Sequence, residues 1–325
     1  MAAALRVLAF MAALLCAAIA SGQSSAQTYP ARPVRLIVPF GAGGPTDVIA
    51  RLVAQKLSER WGQQVYIENV PGAGGNTGVA MVARAQADGY TMLVVSTGFM
   101  VNPSMSAKVP YDPVKDFAPI TLVAASPNVI SVNPEFPAKT LRELVDLVKS
   151  HPGKYSFAQP STGSTPHLAG ELFKQKYHLD LVTVPFNSAA LAVNSTIGGH
   201  TPIAFTALPP ALTNVKEGKL RALAVLNEKR SSALPDVPTN VEAGFPDLES
   251  DTLTGIVAPA GTPEAVIDRW RGEIARIAAT GDVMQRLETL GFVPVASTPD
   301  QFGIRIKSEI AKWSKVVRDA NIRAE

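Results

Sequence analysis

Two glycine-rich turns of one design, a single strand–helix unit apart, constrain this chain more than any other feature. Pro39-Phe40-Gly41-Ala42-Gly43-Gly44 follows the β-rich run Arg35-Leu36-Ile37-Val38 and leads through Pro45-Thr46-Asp47 into a helical pattern. Pro71-Gly72-Ala73-Gly74-Gly75-Asn76 follows Val65-Tyr66-Ile67-Glu68 in the same way. Consecutive strands of a βαβ unit run parallel with a right-handed crossover. Both turns therefore lie at the carboxyl edge of one sheet, where open α/β sheets bind ligands. Glycine permits positive φ and close backbone approach, and a helix N-terminus presents unpaired N–H groups with a partial positive charge. Two such ends facing one crevice suit an anion, most simply a carboxylate. One glycine turn alone would signify no more than a tight connection, but two in register favour a site. Nucleotide motifs do not fit. Gly41-Ala42-Gly43 lacks the third glycine of G-x-G-x-x-G, Gly78 comes one residue late in the second turn, and no Gly-Lys-Ser/Thr follows either.

The first residues read as a secretory signal peptide: a short basic region ending at Arg6, an apolar run from Val7 to Ala20 too short for a comfortable span, and small residues up to Ala26. Cleavage is expected after Ala26, which makes residues 1–26 the signal and the periplasm the destination. Cys16, the single cysteine, leaves with the signal, so the mature chain owes nothing to disulfides. Leu15 before it argues against lipidation. No later segment has the apolar length of a membrane span. The remainder, about 300 residues, is enough for two α/β lobes, each with its own core. Lys and Arg number 30 against 27 Asp and Glu, without basic runs, so nucleic acid is not an expected partner.

Along the chain a helix is expected from Asn76 to Ala87 and a third strand from Thr91 to Ser96. A proline-rich passage follows, Asn102 to Pro119, then two apolar runs, Ile120 to Ala124 and Val129 to Val132, that lead into a second lobe. Thr140-Leu141-Arg142-Glu143 reads as a capping box. Alternating strands and helices continue to Leu226, an irregular stretch from Ser231 to Ser250 leads back, and a strand from Leu253 to Ala258 precedes Thr262-Pro263, read as N-cap and first helical residue. Helices to Asn321 finish the chain. The expected architecture is α/β with two lobes, each a sheet flanked by helices, and two hinge crossings. Residues 28–125 plus 252–325 form one lobe and residues 126–251 the other.

Several motifs resemble one family. They are Ile37-Val38-Pro39-Phe40-Gly41-Ala42-Gly43-Gly44-Pro45-Thr46-Asp47, Asn69-Val70-Pro71-Gly72-Ala73-Gly74-Gly75, Pro110-Tyr111-Asp112-Pro113, His167-Leu168-Ala169-Gly170-Glu171-Leu172-Phe173, Leu234-Pro235-Asp236-Val237-Pro238 and Ala258-Pro259-Ala260-Gly261-Thr262-Pro263. In this order they look like the Bug receptors, the substrate-binding proteins of tripartite tricarboxylate transporters. The resemblance implies a type II periplasmic binding protein fold that closes on a small organic acid, held through backbone groups and bridging waters. It implies as partners the membrane subunits of such a transporter or a membrane sensor, with the receptor itself a monomer. Candidate ligand-binding residues are Phe40, Gly43, Gly44, Thr46, Asp47, Gly74, Gly75, Asn76, Ser96 and Thr97 in the first lobe. In the second they are Ser164, Thr165, Phe186, Asn187, Thr206 and Ala207. The chain departs from the family pattern at Asn187, where a basic residue is usual, at Thr206, where aspartate is usual, and at Gly98-Phe99-Met100, where Thr-His is common. Each change removes charge or polarity. Together with apolar surface expected from Phe40, Phe99 and Met100, they favour an aromatic or medium-chain mono- or dicarboxylate.

An exported serine hydrolase is the rival reading, because Ser161-Thr162-Gly163-Ser164-Thr165-Pro166-His167 sets hydroxyls beside a histidine. The chain lacks G-x-S-x-G, and Ser164 and His167 belong to one loop and helix start, where a Ser/Thr cluster more often caps the helix or bonds a ligand. No catalytic residue, and therefore no enzyme, is expected. The four histidines show no metal-ligand spacing, so neither metal nor cofactor is expected.

Overall fold

The computed structural model describes residues 29–106 and 108–323. The expected signal peptide and its expected cleavage site lie outside them. All elements below belong to one compact unit, Pro33–Glu325. Three parallel strands come first: β1 (Val34–Val38), β2 (Val65–Asn69) and β3 (Thr91–Ser96), with β1 paired to both others. Val34, Leu36, Ile37 and Val38 are buried, as the β-branched run of a central strand covered on both faces requires. Helix α1 (Pro45–Trp61) connects β1 to β2, and α2 (Asn76–Ala83) connects β2 to β3.

The passage after β3 differs from the sequence reading in two ways. Thr97–Met105 is a helix, α3, although Asn102 and Pro103 read as the start of a loop. Burial overrides propensity here. Phe99 stacks on Tyr111 with centroids 5.6 Å apart and meets Phe117 edge-on at 5.1 Å, while Met100 and Val101 are also buried. The two apolar runs that follow are one continuous strand of 16 residues, β4 (Phe117–Val132), which serves two sheets. Its first part, from Phe117 to Pro127, pairs with β9 (Asp251–Pro259). Its last residues, Asn128 to Val132, pair with β7 (Ile203–Ala207) on one side and β8 (Arg221–Val225) on the other. Pro127, which has no N–H to give, falls where one ladder hands over to the next.

The second set of parallel strands is β5 (Ser156–Pro160), β6 (Val182–Phe186) and β7, joined by α5 (Thr165–Tyr177) and α6 (Ala189–Ile197). It is preceded by α4 (Leu141–Ser150), and α7 (Leu208–Lys216) leads to β8. The order across the whole is β2-β1-β3-β9-β4-β7-β5-β6. Helix α4 buries Leu141, Leu144, Val145 and Val148 along one face. Thr140 caps it by accepting from the Glu143 N–H at 3.1 Å, whereas the Glu143 carboxylate reaches past the cap to the Lys139 N–H. Helices α8 (Glu264–Ala278), α9 (Gly281–Thr289) and α10 (Pro299–Asp319) complete the chain, with a short β10 (Val293–Pro294) on β4. The expected Thr262 cap is not formed. Its hydroxyl donates to the Pro259 carbonyl, and Pro263 takes the cap position. Helix α10 starts on a capping box, Thr298 with Gln301. Phe302 and Ile306 near its start belong to the core around β1 and β3, while Trp313, Val316 and Val317 near its end join the core around Phe157, Phe173 and Phe205. Among the described residues no helix is long and apolar enough to cross a membrane.

Candidate functional site

Strand register brings the sequence-derived candidates together. Each lies at or just beyond the carboxyl end of a parallel strand: β1, β2 and β3 on one side of the long β4–β9 ladder, β5, β6 and β7 on the other. Ser96 of β3 pairs with Thr254, Ser126 of β4 with Thr252, and Asn128 with Ala207 of β7. Both sets of carboxyl ends thus converge on the middle of β4. Thr97 accepts the Leu253 N–H at 3.1 Å, and the Thr165 and Thr252 hydroxyls are 2.7 Å apart.

The first turn is held from within. Asp47, on the first turn of α1, accepts from the Gly43 N–H at 2.8 Å, from Arg51 at 2.8 Å and from the Asn69 amide at 2.9 Å. Asn69 also donates to the Phe40 carbonyl at 3.0 Å, which ties the two glycine turns together. Burial pushes the Asp47 carboxyl up, but the bonds from Arg51, Gly43 and Asn69 outweigh it and hold the group below its usual range. The Gly43 amide is therefore engaged inside the protein, which corrects the expectation that it is a donor for a ligand: the carboxylate of Asp47, two residues beyond the helix start, is the nearer acceptor. The second turn is a single 3-10 turn, Ala73–Gly75, whose Gly74 and Gly75 have φ of 66° and 95°. The Gly75 N–H closes onto the Gly72 carbonyl at 2.9 Å, so it too is engaged. Asn102 of α3 supports this turn, donating to the Gly74 carbonyl at 3.1 Å and to Asn76 Oδ1 at 2.8 Å. The Phe40 ring lies against Gly75.

What remains open are the starts of α1 and α3, since the first amides of α2 close on the second turn, the Asn76 N–H on the Ala73 carbonyl and the Thr77 N–H on that of Gly72. Gly44, Gly75 and Ser96 are the N-caps of α1, α2 and α3, and none of the three helices has a side-chain cap. The amides of Thr46 and Asp47, together with that of Gly74, have no partner among the described residues. First-turn amides without a cap point at solvent or at a ligand.

Across β4 the pattern differs. Ser164 and Ser188 cap α5 and α6, accepting from the His167 and Leu191 N–H groups. Phe186 packs on Ala158, Ala192 and Ala204, Asn187 beside it is exposed, and Ala207 is buried. Thr206 is fully buried on β7, its hydroxyl unpartnered among the described residues. Phe99 and Met100 line no surface. Both are core residues, which corrects the expectation drawn from their polarity alone. Sequence reasoning missed Asn69 and Asn102. Asn69 stands in the motif before Pro71, but nothing in either neighbourhood signals a brace between turns. An open pocket of about 540 Å³ between Asn133 and Phe136 and the end of α6 lies at the amino edge of β7, away from these residues.

Two sheets sharing a long strand, with helix starts gathered at the carboxyl edges, make the fold of a periplasmic binding protein. The chain is similar to Rpa4515 of R. palustris, solved with adipate (TM-score 0.83, 32% identity, covering 91% of this chain and 99% of that one). It is also similar to MatC (Rpa3494) from Rhodopseudomonas palustris, solved with bound malate (TM-score 0.79, 32% identity, 89% and 100%). In sequence it is 35% identical over 320 residues to the protein BugT of Bordetella pertussis, covering 98% of each chain. Residues 49–322 match the family described as "Tripartite tricarboxylate transporter family receptor". The chain belongs to that family, whose members are periplasmic solute-binding receptors and not enzymes.

Proposed function

We propose that the chain captures a small organic carboxylate between two lobes, residues 28–125 with 252–325 and residues 126–251, and delivers it to the membrane subunits of a tripartite transporter. The observation that carries this reading is the open helix starts of α1 and α3, after β1 and β3, with the unpartnered Gly74 amide in the turn after β2 between them. The amides of Thr46, Asp47 and Gly74 bind the carboxylate, directly or through water, and no buried countercharge is needed. Ser164, Thr165 and Asn187 form the facing wall. The ligand is an aromatic or medium-chain mono- or dicarboxylate: Thr206 and Asn187 are neutral, so neither an α-amino group nor the dense charge of a tricarboxylate is matched. The adipate named with Rpa4515 and the malate named with MatC support carboxylate chemistry.

A thermal-shift screen with adipate, benzoate, citrate and glutamate tests this, because a ligand that binds only the folded form raises the melting temperature. Adipate or benzoate is expected to stabilise and to shrink the radius of gyration in X-ray scattering. Stabilisation by citrate or glutamate alone overturns the ligand class. Indifference to all four overturns the carboxylate reading.

A further inference from the structure

The loop between β5 and α5 is held by an unusual bond. The Gly163 N–H donates to His167 Nδ1 at 3.0 Å. A ring nitrogen that accepts an N–H must present a lone pair, so this imidazole is neutral, with its proton on Nε2. The same residue's backbone N–H donates to the Ser164 hydroxyl, which in turn donates to the Pro160 carbonyl. His167 therefore grips the loop twice.

The loop needs a grip. Ser161 and Gly163 have φ of 54° and 79°, the left-handed region that only glycine enters freely. Gly163 also faces Met105 at the end of α3 so closely that a Cβ there would lie 2.2 Å from the Met105 methyl. Two residues on, Thr165 meets Thr252. The turn is thus pressed against elements on the far side of the β4 crossing.

We propose that His167 is a positioning residue: its neutral imidazole fixes the 161–164 turn against Met105 and Thr252, and loss of the Nδ1 lone pair, by proton or by substitution, releases the turn. The proposal rests on the reading of this turn as the facing wall of the carboxylate site. The ring is buried, which disfavours the charged form. Glu171, its carboxylate 3.9 Å from Nε2, opposes that effect and Lys174 adds to it. Strands β4 to β7 and helix α3 bring no charged side chain to the ring. Asp251 on β9 is held by Asn227 and Arg305, and Asp247 in the 246–248 turn pairs with Lys176. On the facing stretch of α10, Glu309 accepts from Trp313, and Lys312 donates to the Glu249 carbonyl. None of these can take the place of the Gly163 bond, because Nδ1 faces the turn.

The test is amide exchange at Gly163 in ¹⁵N-glycine-labelled protein, with the ring nitrogens followed alongside. His167→Asn keeps an acceptor where Nδ1 stood and cannot titrate, whereas His167→Leu removes the acceptor. Gly163 is expected to be protected in the wild type at neutral pH and in the Asn variant at every pH. Its protection factor, corrected for the intrinsic pH dependence of exchange, is expected to fall at least about tenfold in the Leu variant, and likewise in the wild type once acid has protonated the ring, which burial holds below the usual imidazole range. Adipate, used as the probe, is expected to weaken in parallel. A Leu variant that keeps the wild-type protection, or a wild type whose Gly163 stays protected after the ring is charged, overturns the proposal. If the Gly163 response appears but adipate never binds, the brace stands and the carboxylate reading falls.

Discussion

The side-chain amide of Asn128 donates to the Ser250 hydroxyl at 2.7 Å, fastening the outgoing crossing of the chain to the returning one. Its carbonyl oxygen accepts from the Thr252 hydroxyl at 3.1 Å, and its backbone is bonded both ways, to Ser250 and to Leu226. Asn128 is fully buried, so its partners have no water to replace it. Asn128→Ala is expected to lower the unfolding free energy by about 1–3 kcal/mol, the cost of orphaned buried polar groups. Urea denaturation measures this, and an unchanged midpoint would refute it.

The glycine turns give a graded expectation. At Gly75 an added Cβ would lie 3.2 Å from the Phe40 ring and 3.3 Å from the Pro39 carbonyl, in a backbone at positive φ. At Gly43 the φ is equally positive, but no atom lies within 4 Å. Gly43→Ala therefore incurs only the left-handed penalty, about 1–2 kcal/mol, while Gly75→Ala adds a clash that moves the Phe40 ring. Calorimetric titration with adipate is expected to rank Gly75→Ala as the weaker binder. Equal affinities would show that the second turn is not part of the grip.

Asp251 supplies a pH dependence with a definite sign. Burial pushes its carboxyl up to about 6, against the pull of Arg305. Between pH 4 and 6 the folded state thus holds a proton that the unfolded chain has released, and stability falls as pH rises through this window. Asp251→Asn keeps an acceptor for Asn227 and leaves Arg305 its pair with Glu309 at 2.9 Å. The variant is expected to gain on the order of 1–3 kcal/mol over the wild type at neutral pH and nothing near pH 4. Melting temperatures across that range check it, and a loss at neutral pH would show that the ion pair outweighs burial.

Much of this architecture was legible from residue pattern alone. Strand Thr91–Ser96 and helix Ala189–Ile197 lie where composition and turn signals put them, because local propensity and burial agree there. The pattern failed where tertiary packing overrides it. Asn102-Pro103 reads as a break, yet the helix persists because Phe99, Met100 and Val101 anchor it. Pro127 reads as the gap between two strands, yet it sits in one strand at the change of partner. At the site, the glycines announced the turns. Of the bonds that set their shape, that from the Gly43 N–H to Asp47 is local, four residues apart, whereas that from Asn102 to the Gly74 carbonyl joins residues that no periodicity links.

Helix α10 behaves as a splint. Its 21 residues form a rod about 30 Å long, seated at Phe302 and Ile306 in one core and at Trp313, Val316 and Val317 in the other. Hydrogen bonds along the axis make such a rod stiff against bending and stretching, so the two cores it joins cannot separate or shear without extracting Trp313. Twisting about its length is the soft mode left to them. Any opening of the two proposed lobes would then be torsion about a fixed shaft, a movement that slides the facing turns past one another more than it pulls them apart.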